Sequence, residues 1–502
     1  MFLSQLAVHP MVREAWLLEE NFSLQAVTAV SGQASPERAF YALKGFHSDG
    51  HDYVDQALQL GASVLFLSNA QVYQRLVHHP PQGVRGIFRV DEGRAPLGPI
   101  AAAVYGEPSR RLQVLGVTGT NGKTTVSHLT AQIMEAAGQP WAVVGGLGMK
   151  RGQERWNSER TTPEAPEIQA FLAHCLAQGD KGVAMEVSSI GVELDRTAGL
   201  WFKAAAYTNL TQDHLDFHHT MARYQAMKER LFLEYPLETA VLNLDDPVAA
   251  ALVAPAAHRH RRVITFSTGA QGKLGAEQVR MGKTGMAGWL RYGEERVPFK
   301  SKLLGRHNLS NLLASLGLAM AAGLGFEEAV LASTHAVPPP GRLEPVDLGT
   351  EFLVLVDYAH TPDALEQVLM AARSACLGRL MVLFGCGGDR DRDKRPRMGE
   401  AAYRLADMVM LTSDNPRGED PEAILDQIEG GIPLKQGDLG KRVFRVLDRG
   451  EAIDQWLSMA KPGDVVVLAG KGHETTQEAH GQKTPFHDAT KALEWAKRNK
   501  ER

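Results

Sequence analysis

Cysteine is scarce: 502 residues hold three, Cys175, Cys376 and Cys386. They are far apart and odd in number, and none forms a CxxC pair. That excludes a disulfide framework, argues against a zinc site and points to a reducing compartment. Long apolar runs are lacking too. The longest, such as Val465–Ala469, fall far short of the roughly 20 residues that span a bilayer. No basic stretch leads into an apolar one at the N-terminus, so no secretory leader is read there. The expectation is a soluble, cytoplasmic protein with no membrane insertion. Charge of one sign is not in excess: 54 Lys plus Arg against 58 Asp plus Glu leave a net charge of −4. Nothing in that balance suggests nucleic acid, although local basic clusters can still serve a small anionic substrate. Short repeats and low-complexity tracts are missing. What remains is a globular composition at a length that suits about three domains of ~150 residues each.

Two places read as joints. Gly106-Glu107-Pro108-Ser109 precedes a strongly patterned strand, and Pro338-Pro339-Pro340-Gly341 forbids both helix and strand. They divide the chain into 1–108, 109–337 and 338–502. The second segment opens with a strand over 112–117, a loop from Thr118 to Thr125, and a helix with Val126, Leu129 and Ile133 on one face. Gly138 and Pro140 supply its stop signal. The glycine-rich, alternating stretch 262–300 reads as hairpins decorating this domain. The third segment holds four short apolar runs, at 352–356, Leu380–Phe384, 408–412 and Val465–Ala469, with helical stretches between them. That alternation predicts an α/β, doubly wound parallel sheet. Each run ends in a polar or glycine-rich cluster: Asp357-Tyr358-Ala359-His360, 385–390, Asp414-Asn415-Pro416-Arg417, and 470–474. The carboxyl ends of parallel strands line one crevice, so the four clusters are expected to meet.

Strand, glycine loop and helix make a phosphate-binding unit. Backbone N–H groups and the helix N-terminus receive phosphate, Lys123 reaches the β and γ phosphates, and Thr124 holds Mg²⁺. The loop is a variant, because the strict pattern needs glycine where this chain has Val117. The alternative is a glycine turn with a surface lysine. In Val183-Ala184-Met185-Glu186 an apolar strand ends in an acid. Such an acid is either a solvated turn or a second contact to a nucleotide-bound Mg²⁺. His214, in Gln212-Asp213-His214, reads either as a metal ligand or as a buried core histidine. Lys228, on the helix after Tyr224, looks by itself like a surface lysine.

The motifs together are more specific than any one. TGTNGKTT at 118–125, MEVSS at 185–189, TNLTQDHLD at 208–216, YQAMKERLF at 224–232, NLDDP at 243–247, GRHNLSN at 305–311, PGRLEPV at 340–346 and VDYAHTPD at 356–363 resemble the Mur ligases over nearly the whole chain. ALKGFHSDGH at 42–51, TTPEAPE at 161–167, FGCGGDRDRDKRP at 384–396, SDNPRGEDP at 413–421 and AGKGHE at 469–474 resemble the branch of that family that adds the third amino acid of the peptidoglycan precursor. The resemblance implies three domains: one for the UDP-linked substrate, a central P-loop ATPase, and a Rossmann-like domain that brings the amino acid. It implies that Gly119, Thr120, Asn121, Gly122, Lys123, Thr124 and Thr125 cradle the phosphates of ATP. Asn308, Asn311, Arg342 and Asp357 hold the nucleotide across the domain boundary. Thr124, Glu186 and His214 bind Mg²⁺, at two sites bridged by a carbamate on Lys228. Ser31, Phe46, His47, Ser48, Thr161, Thr162, Ser188 and Arg196 match contacts to the UDP-sugar peptide. Arg390, Asp414, Asn415, Pro416, Arg417, Gly470 and Glu474 match contacts to the amino acid. The partners implied are small molecules only, acting on a monomer.

Three departures lie on the UDP side. An Asp-Ser-Arg run of the branch is Val30-Ser31-Gly32 here, a histidine after MEVSS is Ile190, and a glutamine is Leu194. They leave room for a paralogue with a modified acceptor. A folate-type ligase shares the phosphate loop, but the first 108 residues, TTPEAPE and DNPR stand against it. A guanine-nucleotide switch would need an Asn-Lys-x-Asp reader, and Asn243-Leu244-Asp245-Asp246 lacks the lysine. Among diamino acids, Arg417 favours meso-diaminopimelate over lysine and ornithine. A guanidinium matches a distal carboxylate with two parallel hydrogen bonds. The alternative is that Arg417 caps a turn or meets Glu419.

Overall fold

The computed structural model describes residues 1–45, 48–158, 160–433 and 442–500. Three α/β units follow one another, each built on its own sheet. The first sheet has five strands in the order Val12–Leu17, Gly86–Val90, Val64–Leu67, Arg38–Tyr41 and Ala26–Thr28, all parallel but the first pair.

The second sheet has eleven strands. At its centre Gln113–Thr118 lies between Gly182–Glu186 and Phe202–Tyr207, parallel to both. These strands are apolar on both faces because helices cover both. Lys123–Ala136 and Arg306–Ala321 pack one face around Leu115, Val117, Val126, Leu129 and Ile133. Ala165–Ala177 and Met221–Leu233 pack the other around Val114, Phe171, Phe202, Leu231 and Phe232.

The stretch 262–300 departs from the sequence-based expectation. Arg262–Ser267 is a parallel strand beside Leu237–Asn243, with Ile264 and Phe266 fully buried. Leu274–Gly282 pairs with it in parallel, and Gly285–Tyr292 and Glu295–Ser301 extend the same sheet as an antiparallel meander. Two buried apolar side chains in alternation are enough to draw the first of these strands into the sheet.

The third sheet runs Glu344–Val346, Leu353–Asp357, Val465–Ala469, Leu380–Phe384, Met408–Leu411, Val443–Arg445, parallel except for its first strand. Its four inner strands are the four apolar runs of the sequence. The two edge strands, three residues each, are too short to show a period. A separate two-stranded hairpin, Thr476–Ala479 with Gln482–Pro485, is polar and half exposed, and no hydrophobic pattern announces it. Among the described residues no helix is long and apolar enough to cross a membrane.

One buried ion pair ties the third unit together. Arg449 donates to Asp488 through Nε (2.7 Å) and Nη2 (2.6 Å), and Nη2 also reaches the Ala469 carbonyl at 2.9 Å. Neither side chain is exposed. The pair joins helix Arg449–Met459, the start of Asp488–Lys500 and the end of the strand that leads into Gly470. Removing one partner leaves a buried charge without compensation, which costs about 3–5 kcal/mol. Asp488→Ala is therefore expected to lower the unfolding free energy of this unit by that amount. Calorimetry with denaturant titration measures it, and a loss under about 1 kcal/mol would contradict the account.

Candidate active site

In-register pairing sets the centre of the site. Val117 stands opposite Glu186, and Thr118 opposite Tyr207, so the loop after Thr118 emerges beside an acid and beside Thr208. The backbone there comes close to its neighbours. A Cβ on Gly119, at φ +145°, would sit 1.9 Å from Thr208 Oγ1, and one on Gly122, at φ +88°, would sit 2.4 Å from Asn311 Oδ1. Only glycine fits either position. Thr120 N and Asn121 N donate to Asn209, and Thr208 Oγ1 donates to the Asn121 carbonyl, which fixes the loop's shape. Lys123 opens the helix and its Nζ donates back to Gly119 O (2.9 Å) and Thr120 O (2.8 Å).

Charge is concentrated here and buried. Glu186 is 1% exposed and accepts from Gly146 N at 2.9 Å. Burial pushes its carboxyl above the ordinary range, and the Lys123 ammonium opposes that rise. Lys228 is 1% exposed, and its Nζ donates to Gly119 O at 2.7 Å and stands 4.4 Å from the Tyr224 ring centre. The surface reading of Lys228 fails for a reason of period. Tyr224, Lys228 and Leu231 lie on one face of Met221–Leu233, and that face packs inward. Burial, and then the charge of Lys123, hold the Lys228 amine well below the lysine range. Tyr224, which the sequence did not single out, donates its hydroxyl to Thr120 Oγ1 at 3.1 Å and so braces the loop from beneath.

His214 is not a core histidine. It sits at φ +52° with its side chain 42% exposed, 3.5 Å from Asp213, and it feels the charges of Lys123 and Lys228. The buried histidine of this segment is His218.

A cavity of about 500 Å³ opens beside the loop, between the second and third units. Asn121, Gly122, Thr125, Asn308, Asn311, Arg342 and Asp357 line it. Gly119, Thr120, Lys123 and Thr124 form the loop and first helical turn at its edge. Asn311 Nδ2 donates to Asn308 Oδ1 at 3.0 Å. Arg342 spans the two units, with Nη2 3.2 Å from Thr124 Oγ1 and its guanidinium over the Tyr358 ring. Asn121 Nδ2 makes a second crossing, to Asp363 at 3.0 Å. Asp357 accepts from Leu343 N and Ala359 N, and burial raises its pKa to about 6.

A second cavity, of about 480 Å³, lies between the first and second units. Ser48 lines it, as do Val30, Arg38, Arg94, Arg160 and Glu164. Glu164 receives Arg94 and Arg196 at 3.1 Å each, with Arg160 at 4.0 Å. Three guanidiniums around one carboxylate make the cleft a place for an anion. Arg94 was missed because it lies 70 residues from Glu164 and carries no local motif, and Arg160, beside TTPEAPE, because alone it looks like a surface charge. Thr162 and Ser188 meet hydroxyl to hydroxyl at 3.0 Å, and Arg196 Nη1 donates to Thr162 O. Thr161 lies next to Gly146. Ser31 turns toward Gln56 Oε1, 2.7 Å away, and is not part of the cavity wall. Phe46 and His47 lie outside the described residues.

The four strand-end clusters of the third unit do converge. Gly470 N donates to Asp357 O, Gly388 N donates to Asn415 O, and a Cβ on Gly470 would stand 3.1 Å from Asp414 Oδ2. Asn415 Nδ2 donates to Glu474 at 2.8 Å. Lys471, fully buried and absent from the sequence-based set, donates to both Glu474 (2.9 Å) and Asn415 Oδ1 (3.1 Å). Asp414 Oδ1 is buried with no hydrogen-bond partner, and burial raises its pKa against the pull of Lys471. Pro416 O lies against Gly388. Arg417 stands at φ +50° and donates to Gly388 O at 2.8 Å, with Glu478 3.6 Å away. It does not meet Glu419, which is held by Arg395 instead. Arg390 is exposed at the rim.

Three family profiles match in order along the chain: "Mur ligase family, catalytic domain" over 24–103, "Mur ligase middle domain" over 117–319, and "Mur ligase, glutamate ligase domain" over 341–472. A UDP-N-acetylmuramoyl-L-alanyl-D-glutamate–2,6-diaminopimelate ligase of Syntrophomonas wolfei is 39% identical over 469 residues, covering 92% of this chain and 93% of the relative. One of the same name from Pseudomonas putida is 40% identical over 477 residues, covering 93% and 94%. A solved structure of a ligase of that name aligns with a TM-score of 0.71 at 31% identity, over 100% of this chain and 99% of the other. With that identity carried over almost its full length, the chain belongs to the Mur ligase family of ATP-dependent, ADP-forming amide ligases.

Proposed function

We propose that this ligase joins meso-diaminopimelate to UDP-N-acetylmuramoyl-L-alanyl-D-glutamate in peptidoglycan precursor synthesis. The segments 1–108, 109–337 and 338–502 serve as acceptor, nucleotide and amino-acid units. The observation that carries the choice of amino acid is the unpartnered Asp414 Oδ1. Lys471 Nζ is 3.7 Å from it, too far for a hydrogen bond. A buried carboxylate oxygen without a donor accepts an ammonium readily. Asp414 and Glu474 supply two negative charges and Lys471 one positive charge, so one further cation balances the pocket. Arg417 and Arg390 stand beyond it as the fork for a carboxylate. An ammonium and a carboxylate together are the distal end of diaminopimelate, and the relatives named for that substrate agree.

The reaction follows from chemical need. A carboxylate is a poor electrophile because oxide would have to leave. Attack by the acceptor carboxylate on the γ-phosphorus of ATP gives an acyl phosphate and ADP. The amine then adds to the acyl carbon, loses its proton, and the tetrahedral intermediate expels phosphate. Lys123 offsets charge on the transferred group, and Arg342 brings a second cation from the other unit. The Arg94–Arg160–Arg196 cluster holds the anionic acceptor. Thr124, Glu186 and His214 would hold magnesium at two sites. A carbamate on Lys228 would complete them, because a poorly protonated buried amine can add CO₂ and would then offer hard oxygen donors. Bound there, the metal would neutralise phosphoryl charge. The three cysteines are free, in keeping with work in the cytoplasm. The enzyme acts as a monomer on small molecules.

Three outcomes test this reading. Lys123→Ala is expected to fold and to lose at least about 10²–10³ of the ligation rate. Near-normal activity in the folded variant would remove the phosphate-loop assignment. Lys228→Arg is expected to be inactive although the charge is kept, while Lys228→Glu recovers part of the rate by restoring a carboxylate. An active Lys228→Arg enzyme would refute the carbamate. Arg417→Ala is expected to weaken amino-acid binding by about 2–4 kcal/mol and to leave ATP binding intact. Incubation with the UDP-linked acceptor, ATP and each diamino acid, read by mass spectrometry, decides the specificity. Turnover of lysine or ornithine at least equal to diaminopimelate would overturn it and leave the ligase assignment standing.

A further inference from the structure

Arg395 is fully buried in a chain that otherwise keeps its arginines mostly at the surface, and it does not face either cavity. Its guanidinium grips Glu419 through both terminal nitrogens, Nη2 to Oε1 at 2.9 Å and Nη1 to Oε2 at 3.0 Å. Nη1 also donates to Gln427 at 2.9 Å and Nη2 to the Gly387 carbonyl at 3.1 Å. Glu419 Oε1 in turn accepts the Asp389 N–H at 2.6 Å, and Asp389 Oδ2 accepts Gly418 N at 3.0 Å. Arg395 and Arg392 hold the Glu419 carboxyl down at about 2.

These contacts stitch two loops, 385–390 and 414–419, face to face. The fit admits no slack, since a Cβ on Gly388 would stand 1.9 Å from Pro416 O. The Gly388 carbonyl is the anchor of Arg417, and Arg390 leaves the same loop two residues later. Both residues of the proposed carboxylate fork therefore rest on a segment whose position the Arg395–Glu419 pair sets. Asp389 and Arg417 stand at φ +53° and +50°, a backbone region that costs energy for residues other than glycine and persists only where neighbours enforce it.

We infer that Arg395 and Glu419 are positioning residues that fix the Arg390–Arg417 fork, and through it the preference for an amino acid with a distal carboxylate. This rests on the substrate reading above. The pair touches no substrate itself. Lysine, which lacks that carboxylate, does not use the fork, so loosening the clamp penalises diaminopimelate alone.

The test is steady-state kinetics on Glu419→Gln, Arg395→Lys and Asp389→Ala, with circular dichroism to establish folding. In Glu419→Gln and Arg395→Lys the KM for meso-diaminopimelate is expected to rise on the order of 10- to 100-fold, the penalty of misplacing a binding group by about an ångström. The KM for ATP, and kcat, are expected to stay near wild type. Discrimination against lysine is expected to fall by the same factor. Adding Glu419→Gln to an Arg390→Ala/Arg417→Ala background is expected to raise the KM no further, because both residues through which the clamp acts are already gone. Asp389 is exposed, so Asp389→Ala, with a smaller rise of the same sign, decides the matter if the buried variants do not fold. An unchanged KM in folded variants, or a further rise when Glu419→Gln is added to the background lacking both fork arginines, would overturn the inference. If wild-type enzyme does not turn over diaminopimelate, the substrate reading falls first, and the two failures are told apart.

Discussion

The parallel register of three central strands is the constraint on which the site depends. Once Gln113–Thr118 is flanked by Gly182–Glu186 and Phe202–Tyr207, the phosphate loop must leave the sheet beside Glu186 and Thr208. The close approaches at Gly119 and Gly122 follow. So does the meeting of two ammonium groups, from buried Lys228 and half-buried Lys123, on one backbone carbonyl, Gly119 O, with buried Glu186 near enough to feel the Lys123 charge. Such a cluster is unfavourable in an empty apolar interior. Polyanionic phosphate compensates the buried ammonium groups, so the stress on Lys123 and Lys228 favours its binding at the loop.

The third unit brings a further cation to the loop. Arg342 crosses to Thr124, and Tyr358 beneath it stacks on His473, the neighbour of Glu474. Gly341 packs so closely on the 472–473 backbone that a Cβ there would stand 2.2 Å from His473 N. Arg342 thus lines the cavity beside the phosphate loop and connects, through Tyr358 and His473, to the cluster at Glu474.

Legibility in the sequence varied with locality. The phosphate loop, the strand ending at Glu186 and the four clusters of the third unit lie within short windows, where strand period and glycine spacing speak directly. Their convergence followed from the rule for parallel sheets alone. Of the arginines around Glu164, Arg196 was expected through the family resemblance; Arg94 and the Arg395–Glu419 clamp were not legible, because their partners lie tens of residues apart, and Arg160 looks alone like a solvated charge. Lys228 was misread as exposed when taken alone, and the meander at 274–301 was read as decoration, because its glycines hide that it continues the main sheet.

By itself the sequence determined the α/β class, the order of phosphate loop, strand-end acid and third-unit clusters, and, through its motifs, the family. All of these are local patterns whose backbone hydrogen bonds close within an element or with a neighbouring strand. Tertiary structure alone decided which charges are buried and what each one faces. Lys228 lies inward, Asp414 Oδ1 is without a donor, Ser31 turns toward Gln56, and Glu419 is held by Arg395. Burial and pairing depend on distances between segments remote in the chain, and a side chain's protonation and reach depend on that burial.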